Sequence, residues 1–162
     1  MKNKETLFLK ALECTSTGKV HNAKNIAEQI ISEDPCFAKA HYLLGLILFE
    51  NLNDIDKARQ HAILAIKHDP DNPLGYYLYC DILMANRELE EMKSILKGVA
   101  NLEEKDKAYL QHKLACVYEL KQQYENAIFS LRLSKELKPT NDWESFVNQE
   151  ISRIQMKMTV IN

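Results

Sequence analysis

Residues 38–72 read AKAHYLLGLILFENLNDIDKARQHAILAIKHDPDN. In the first part, His41, Leu44, Gly45 and Leu48 fall at spacings of three and four, the period of a helix face. In the second part Ala58, Ala62 and Ala65 form a stripe of small residues at the same period, closed by Pro70. Proline has no N–H for the next helical bond and restricts the residue before it, so Asp69-Pro70 ends the second helix. Asn51-Leu52-Asn53-Asp54 between the two parts is turn chemistry. The stretch is therefore a helix near 38–51, a turn and a helix near 55–68.

The same marks recur along the chain. Ala23, Ala27, Ile30 and Pro35 precede Ala58, Ala62, Ala65 and Pro70 by 35 residues (58 − 23, 70 − 35). Met92, Leu96, Val99 and Glu104 follow more loosely, and Ala127, Leu131, Ser134 and Pro139 repeat the pattern again. A period of this size means stacked helical pairs, each too small to bury its apolar face without a neighbour. Units of about 4–37, 38–72, 73–107 and 108–141 result, with turns at Gly18, at Asn86-Arg87 and at Gln122-Gln123. Pro73 suits the first turn of the third unit, whose helices are expected near 73–86 and 89–103. This third unit is the least typical, with Met92 in the alanine stripe and Glu104 in place of the proline.

After Pro139, Asn141-Asp142-Trp143-Glu144 has the form of a capping box, with Asn141 as the cap. Trp143, Phe146, Val147, Glu150, Ile151, Ile154 and Met158 then fall at helical spacing, mostly apolar on one side. This predicts a capping helix near 142–158 that covers the end of the stack with a polar outer face. No linker or low-complexity segment interrupts the units, so 1–162 is expected to be a single domain. The Thr159-Val160-Ile161-Asn162 tail leaves open whether the chain continues in a longer protein.

Composition narrows the function. Of 162 residues 46% are hydrophobic and 27% charged, which suits an ordered domain. The net charge of −2, from 21 basic and 23 acidic residues without a block of one sign, gives no footprint for phosphate backbones. Nucleic acid is not an expected ligand. No apolar run reaches the roughly 20 residues a bilayer crossing needs, and Leu7-Phe8-Leu9 is too short for a signal-peptide core. No membrane insertion and a cytoplasmic location are expected. Cys14, Cys36, Cys80 and Cys116 contain no CxxC pair and read as reduced, packed side chains.

The pattern resembles the tetratricopeptide repeat, whose signature is W-x2-L-G-x2-Y in the first helix and A-x3-F in the second, before a closing proline. Residues 38–72 match best, through His41, Leu44, Gly45, Leu48, Ala58, Ala62, Ala65 and Pro70. Looser first helices carry Leu7, Lys10, Ala11 and Cys14; Tyr76, Tyr79, Cys80 and Leu83; Gln111, Leu114, Ala115 and Tyr118. The resemblance covers about residues 4–139. It implies an all-α fold, a right-handed α-solenoid of stacked antiparallel helix pairs, and a non-enzymatic role in protein–protein interaction.

Chemistry is sparse elsewhere. His21, His41, His61, His68 and His112 lack metal-ligand spacing, although His61 and His68 lie two turns apart on one face. No phosphate loop, nucleophile elbow or carboxylate pair in a cleft is present. No catalytic, metal or cofactor residues are assigned.

The resemblance directs attention to the face of the first helices, which line the inner groove in such arrays. Helical projection places Glu5, Phe8, Leu12, Thr15 and Ser16 there, then Lys39, Tyr42, Leu46, Phe49 and Glu50. Leu74, Tyr77, Asp81, Met84 and Ala85 follow, and finally Tyr109, His112, Cys116, Glu119 and Leu120. The expected partner-binding residues are Phe8, Leu12, Lys39, Tyr42, Leu46, Phe49, Tyr77, Asp81, Met84, Tyr109 and His112. An exposed apolar-aromatic stripe of this kind marks an interaction surface, unless neighbouring helices or a terminal segment cover it.

The groove positions lack the lysine, asparagine and arginine clamp by which co-chaperones of this family hold acidic chaperone tails. The expected function is an adaptor that takes a peptide or amphipathic helix of another protein. Two alternatives are a secretion-type chaperone holding an apolar substrate segment, and a regulatory module of a larger enzyme or complex. Self-association stays open.

Overall fold

The computed structural model describes residues 3–161, and Asn162, at the end of the expected tail, lies outside them. The described residues form nine helices and no strand. These are α1 (Lys4–Ser16), α2 (Val20–Glu33), α3 (Ala38–Glu50), α4 (Ile55–His68), α5 (Pro73–Ala85), α6 (Leu89–Lys97), α7 (Glu104–Leu120), α8 (Tyr124–Leu137) and α9 (Asn141–Ile161). By backbone contacts the chain divides into two compact units, residues 1–82 and 83–162.

In the first unit α1 packs on α2, α2 on α3 and α3 on α4. The alanine stripe lies in these seams: Ala23, Ala27, Ala58 and Ala62 have no exposed surface, and Ile30 and Ala65 almost none. A methyl side chain lets the helix backbones approach, and larger residues from the facing helix (Leu43, Leu44, Ile47, Leu48) fill the remaining space. Gly45 belongs to the same seam. A Cβ there would lie 2.8 Å from Leu78 Cδ2 and 3.2 Å from the carbonyl oxygen of Ala58.

In the second unit α6 packs on α7, α7 on α8 and α8 on α9. Its core is Ala115, Ala127, Leu131, Val147 and Ile154, with Tyr118, Tyr124, Ile128, Trp143 and Ile151 against it. Ser134 also sits in the seam, its hydroxyl donating to the Ala108 carbonyl at 2.7 Å.

The period is written in the backbone too. Gly18, Asn53, Arg87 and Gln122 all have positive φ, at 73°, 52°, 58° and 59°. They stand 35, 34 and 35 residues apart (53 − 18, 87 − 53, 122 − 87), one in each turn between a first helix and its second. Glycine adopts this left-handed conformation freely, whereas the other three carry a Cβ against it.

Several boundaries differ from expectation. The second helix of the third unit stops at Lys97 rather than 103, with Gly98 as its C-cap. The next helix starts at Glu104 rather than near 108. The second follows from the missing proline: Glu104 is a suitable first-turn acid at the positive end of a helix dipole, so α7 gains a turn where the other units stop. The capping helix begins at Asn141 itself. The Glu144 N–H donates to the Thr140 carbonyl at 2.8 Å, which puts Thr140, not Asn141, at the cap. The helix also runs past 158, to Ile161.

Candidate partner-binding face

In the first unit, the first helices α1 and α3 are joined across 34 residues by Lys39 Nζ, which lies 3.1 Å from the Glu5 carboxylate. Phe8 does not face solvent. It is 8% exposed, in edge contact with Phe37, the residue before α3. Lys4 Nζ lies over the Phe37 ring, 5.3 Å from its centroid, and is paired with Asp34. Leu12, one turn further along, is exposed.

Tyr42, Leu46 and Phe49 are half-buried on α3, as are Tyr77 and Asp81 on α5. The cleft beside Tyr42, bounded by Lys39, Leu74 and Gly75, measures about 10 Å³, room for at most one water. Tyr42 thus presents a ring surface rather than a pocket. Its phenol is pushed above the usual value by burial, then by the carboxylates of Glu50 and Asp81.

The second unit treats its first-helix face differently. Met84, Tyr109 and His112 are half-buried, and His112 is met by the chain's own α9. The His112 ring centroid lies 5.2 Å from that of Phe146 and 5.8 Å from that of Trp143. Burial pushes His112 below and Cys116 above their ordinary values.

Two turns along α7, Glu119 accepts from both terminal nitrogens of Arg153, the Nη2 contact at 2.7 Å, and from Lys157 Nζ at 2.7 Å. Hydrogen bonding from Arg153 is the largest cause that holds the Glu119 carboxyl down at about 2. Glu150 accepts from Arg153 as well, at 2.7 Å. Burial decides the energetics. Val147 and Ile154 have 1% exposure or less, worth roughly 1.5–3 kcal/mol each, whereas exposed ion pairs contribute roughly 0–1 kcal/mol. Apolar contact holds α9 down, and the Arg153 pairing sets its register.

The residues expected to bind a partner are therefore not one continuous exposed stripe. Tyr42, Leu46, Phe49, Tyr77 and Asp81 share the face of the first unit with Lys39; Phe8 lies beneath it; His112 lies under α9. The pairing of Glu119 with Arg153 and Lys157 was not anticipated, yet its signal is present, since Glu5–Lys39 and Glu119–Arg153 are both acid–base pairs separated by 34 residues.

Also unanticipated is the placement of three histidines. His61 and His68 of α4 are both gathered on His41 of α3, the latter two with ring centroids 5.7 Å apart. Among the described residues no three His, Cys, Asp or Glu side chains converge to hold a metal, and no helix is long and apolar enough to cross a membrane.

The family profile described as "Tetratricopeptide repeat" matches residues 38–72 and 108–141. No curated protein matches the chain. Among solved structures, the chain is similar to PilF of Pseudomonas aeruginosa (17% identity, 96% of this chain and 69% of that one, TM-score 0.78). It is also similar to MamA, residues 41 to the end, from Desulfovibrio magneticus RS-1 (18% identity, 99% and 94%, TM-score 0.69). A third is YrrB, described as a TPR protein with an unusual peptide-binding site (14% identity, 94% and 80%, TM-score 0.66). At these identities the likeness is one of fold. With two matched repeats, helix pairs at the repeat's period and these neighbours in fold, the chain carries tetratricopeptide repeats at residues 38–72 and 108–141 and has the fold of tetratricopeptide-repeat solenoids, a fold that implies a protein–protein interaction scaffold.

Proposed function

We propose that the protein is a non-enzymatic adaptor that receives a peptide or amphipathic helix of a partner protein on the first-helix face of residues 1–82. The observation that carries this is the half-buried row Tyr42, Leu46, Phe49 and Tyr77 on successive first helices. Rings and aliphatic side chains held in place by the packing below lose little entropy when a partner covers them, and such anchors dominate binding energy. The neighbour YrrB is described as having a peptide-binding site, which agrees with a peptide-class ligand here.

The test is capture of crosslinked partners from native lysate by the wild-type chain and by a combined Tyr42→Ala and Tyr77→Ala variant. The variant is expected to lose the partner while its helicity and melting persist. Capture that survives both substitutions overturns the assignment of this face.

A further inference from the structure

The face around Tyr42 ends in an acid that the chain itself leaves unmatched. Glu50 is the last residue of α3, where the negative end of the helix dipole disfavours a carboxylate. No basic residue stands in the last turn of α3. Glu50 is exposed and makes no hydrogen bond or ion pair among the described residues. The next first helix does not supply a cation either: α5, PLGYYLYCDILMA, has no lysine or arginine along its whole length.

The second unit shows how this chain satisfies a comparable acid. Glu119 lies in the last turn of α7, which also lacks a base there. The helix laid against it brings Trp143 and Phe146 to His112, and Arg153 and Lys157 to Glu119. Tyr42 and His112 stand 70 residues apart (112 − 42), two periods, and Glu50 lies one residue beyond the place that Glu119 takes (119 − 70 = 49). After α3 the next first helix is α5, which lies against Tyr42 and Gly45 through Leu74, Gly75 and Leu78 and brings no cation. The first unit thus has the half-buried apolar row and an acid beside it, and lacks the cation.

Resting on the adaptor reading above, we propose that the segment received by the Tyr42–Phe49 face carries a lysine or arginine beside its apolar anchors, and that this cation seats on Glu50. The partner is thereby a basic amphipathic segment rather than an acidic tail. Lys39 does not oppose it, because its charge is already met by Glu5.

The experiment compares two labelled amphipathic peptides of equal apolar content, one with Lys and Arg flanking a Leu/Phe core and one with Glu at those positions. Fluorescence anisotropy measures their binding to the full chain, to Glu50→Gln and to Phe49→Ala. The basic peptide is expected to bind more tightly, with the preference reduced about three- to fivefold by Glu50→Gln, the size of an exposed ion pair. Raising the salt from low to high should reduce it comparably. Equal affinity for the two peptides, no binding of the basic one, or a preference untouched by Glu50→Gln overturns the proposal.

Phe49→Ala separates this from the reading it rests on. Weakened binding of both peptides there, with no effect of Glu50→Gln, leaves the face in place and removes the cation; unaltered binding in both variants removes the face itself. Tyr42→Ala serves if Phe49→Ala fails to fold.

Discussion

The Nδ1 atoms of His41 and His61 face one another at 2.9 Å, and His41 Nε2 lies 2.9 Å from the Pro35 carbonyl oxygen. A carbonyl accepts, so His41 Nε2 carries the hydrogen; neutral His41 then accepts at Nδ1, and His61 must be the tautomer that donates from its own Nδ1. A proton arriving on His41 would set two N–H groups against each other unless His61 changes tautomer.

Burial is the first cause that pushes both histidines below their ordinary value, with His68 adding to it for His41 and His41 for His61; Glu28 pulls His61 the other way. Asp34 is the carboxylate that faces His68. With a folded pKa below the unfolded one, stability is full above about pH 6.5. It is lost as pH falls from there toward the lowered folded values, because the unfolded chain binds protons that the folded one refuses. The melting temperature is expected to fall between pH 7.5 and 5.5, and His61→Gln should flatten that slope. A melting temperature independent of pH across this window would sink the idea.

A second expectation concerns the seat of α9. Glu119→Gln keeps the shape of the side chain and removes the charge that holds Arg153 and Lys157. Charged hydrogen bonds contribute roughly 1.5–3 kcal/mol, and solvent at the half-exposed cations reduces this to about 1 kcal/mol. Faster amide hydrogen exchange in Asn141–Ile161, with α4 unaffected, is the expected readout. Because the Glu119 carboxyl is held at about 2, its contribution is complete above the usual carboxylate value near 4.5 and fades as pH drops from there toward 2.

Gly75 offers a test of close packing. A Cβ at this position would lie 2.9 Å from Ile66 Cγ1 and 3.0 Å from the Ile66 backbone nitrogen. Alanine gains about 1 kcal/mol over glycine in helix propensity, but an overpacked seam loses roughly 1–3 kcal/mol. Since backbone cannot move aside as a side-chain tip can, Gly75→Ala should lower stability in chemical denaturation. A stabilised variant would show that α4 and α5 give way there.

The left-handed turns make the opposite forecast. Arg87→Gly and Gln122→Gly relieve a Cβ from positive φ, worth roughly 1–2 kcal/mol, and give part of it back through the freer unfolded chain. Each should raise the melting temperature modestly, by about 0.5–1 kcal/mol in stability, whereas Gly18→Ala should lower it. An unchanged or lower melting temperature in both glycine variants would refute the strain.

Much of the architecture was legible because it depends on side-chain size and on φ. Ala58, Ala62 and Ala65 mark a seam wherever they recur, and Gly18 marks a turn. The early end of α6 was not, since Leu96 and Val99 keep helical spacing through Gly98 and only the backbone shows the break. The candidate face was legible in part. Projecting α1 alone turns Phe8 outward, but Phe37 arrives from the loop before α3 and covers it. Projecting α7 alone likewise exposes His112, and nothing local to α7 announces that Phe146 and Trp143 will be laid over it.

The ion pair that sets the register of α9 has the same 34-residue offset as the pair between α1 and α3, and that makes the array extensible. A helical pair of one period inserted between Pro139 and Thr140 would meet α7 and α8 with the spacing they already present, and would offer α9 the same reception at its own far side. The number of repeats is in that sense a setting, adjustable in whole periods.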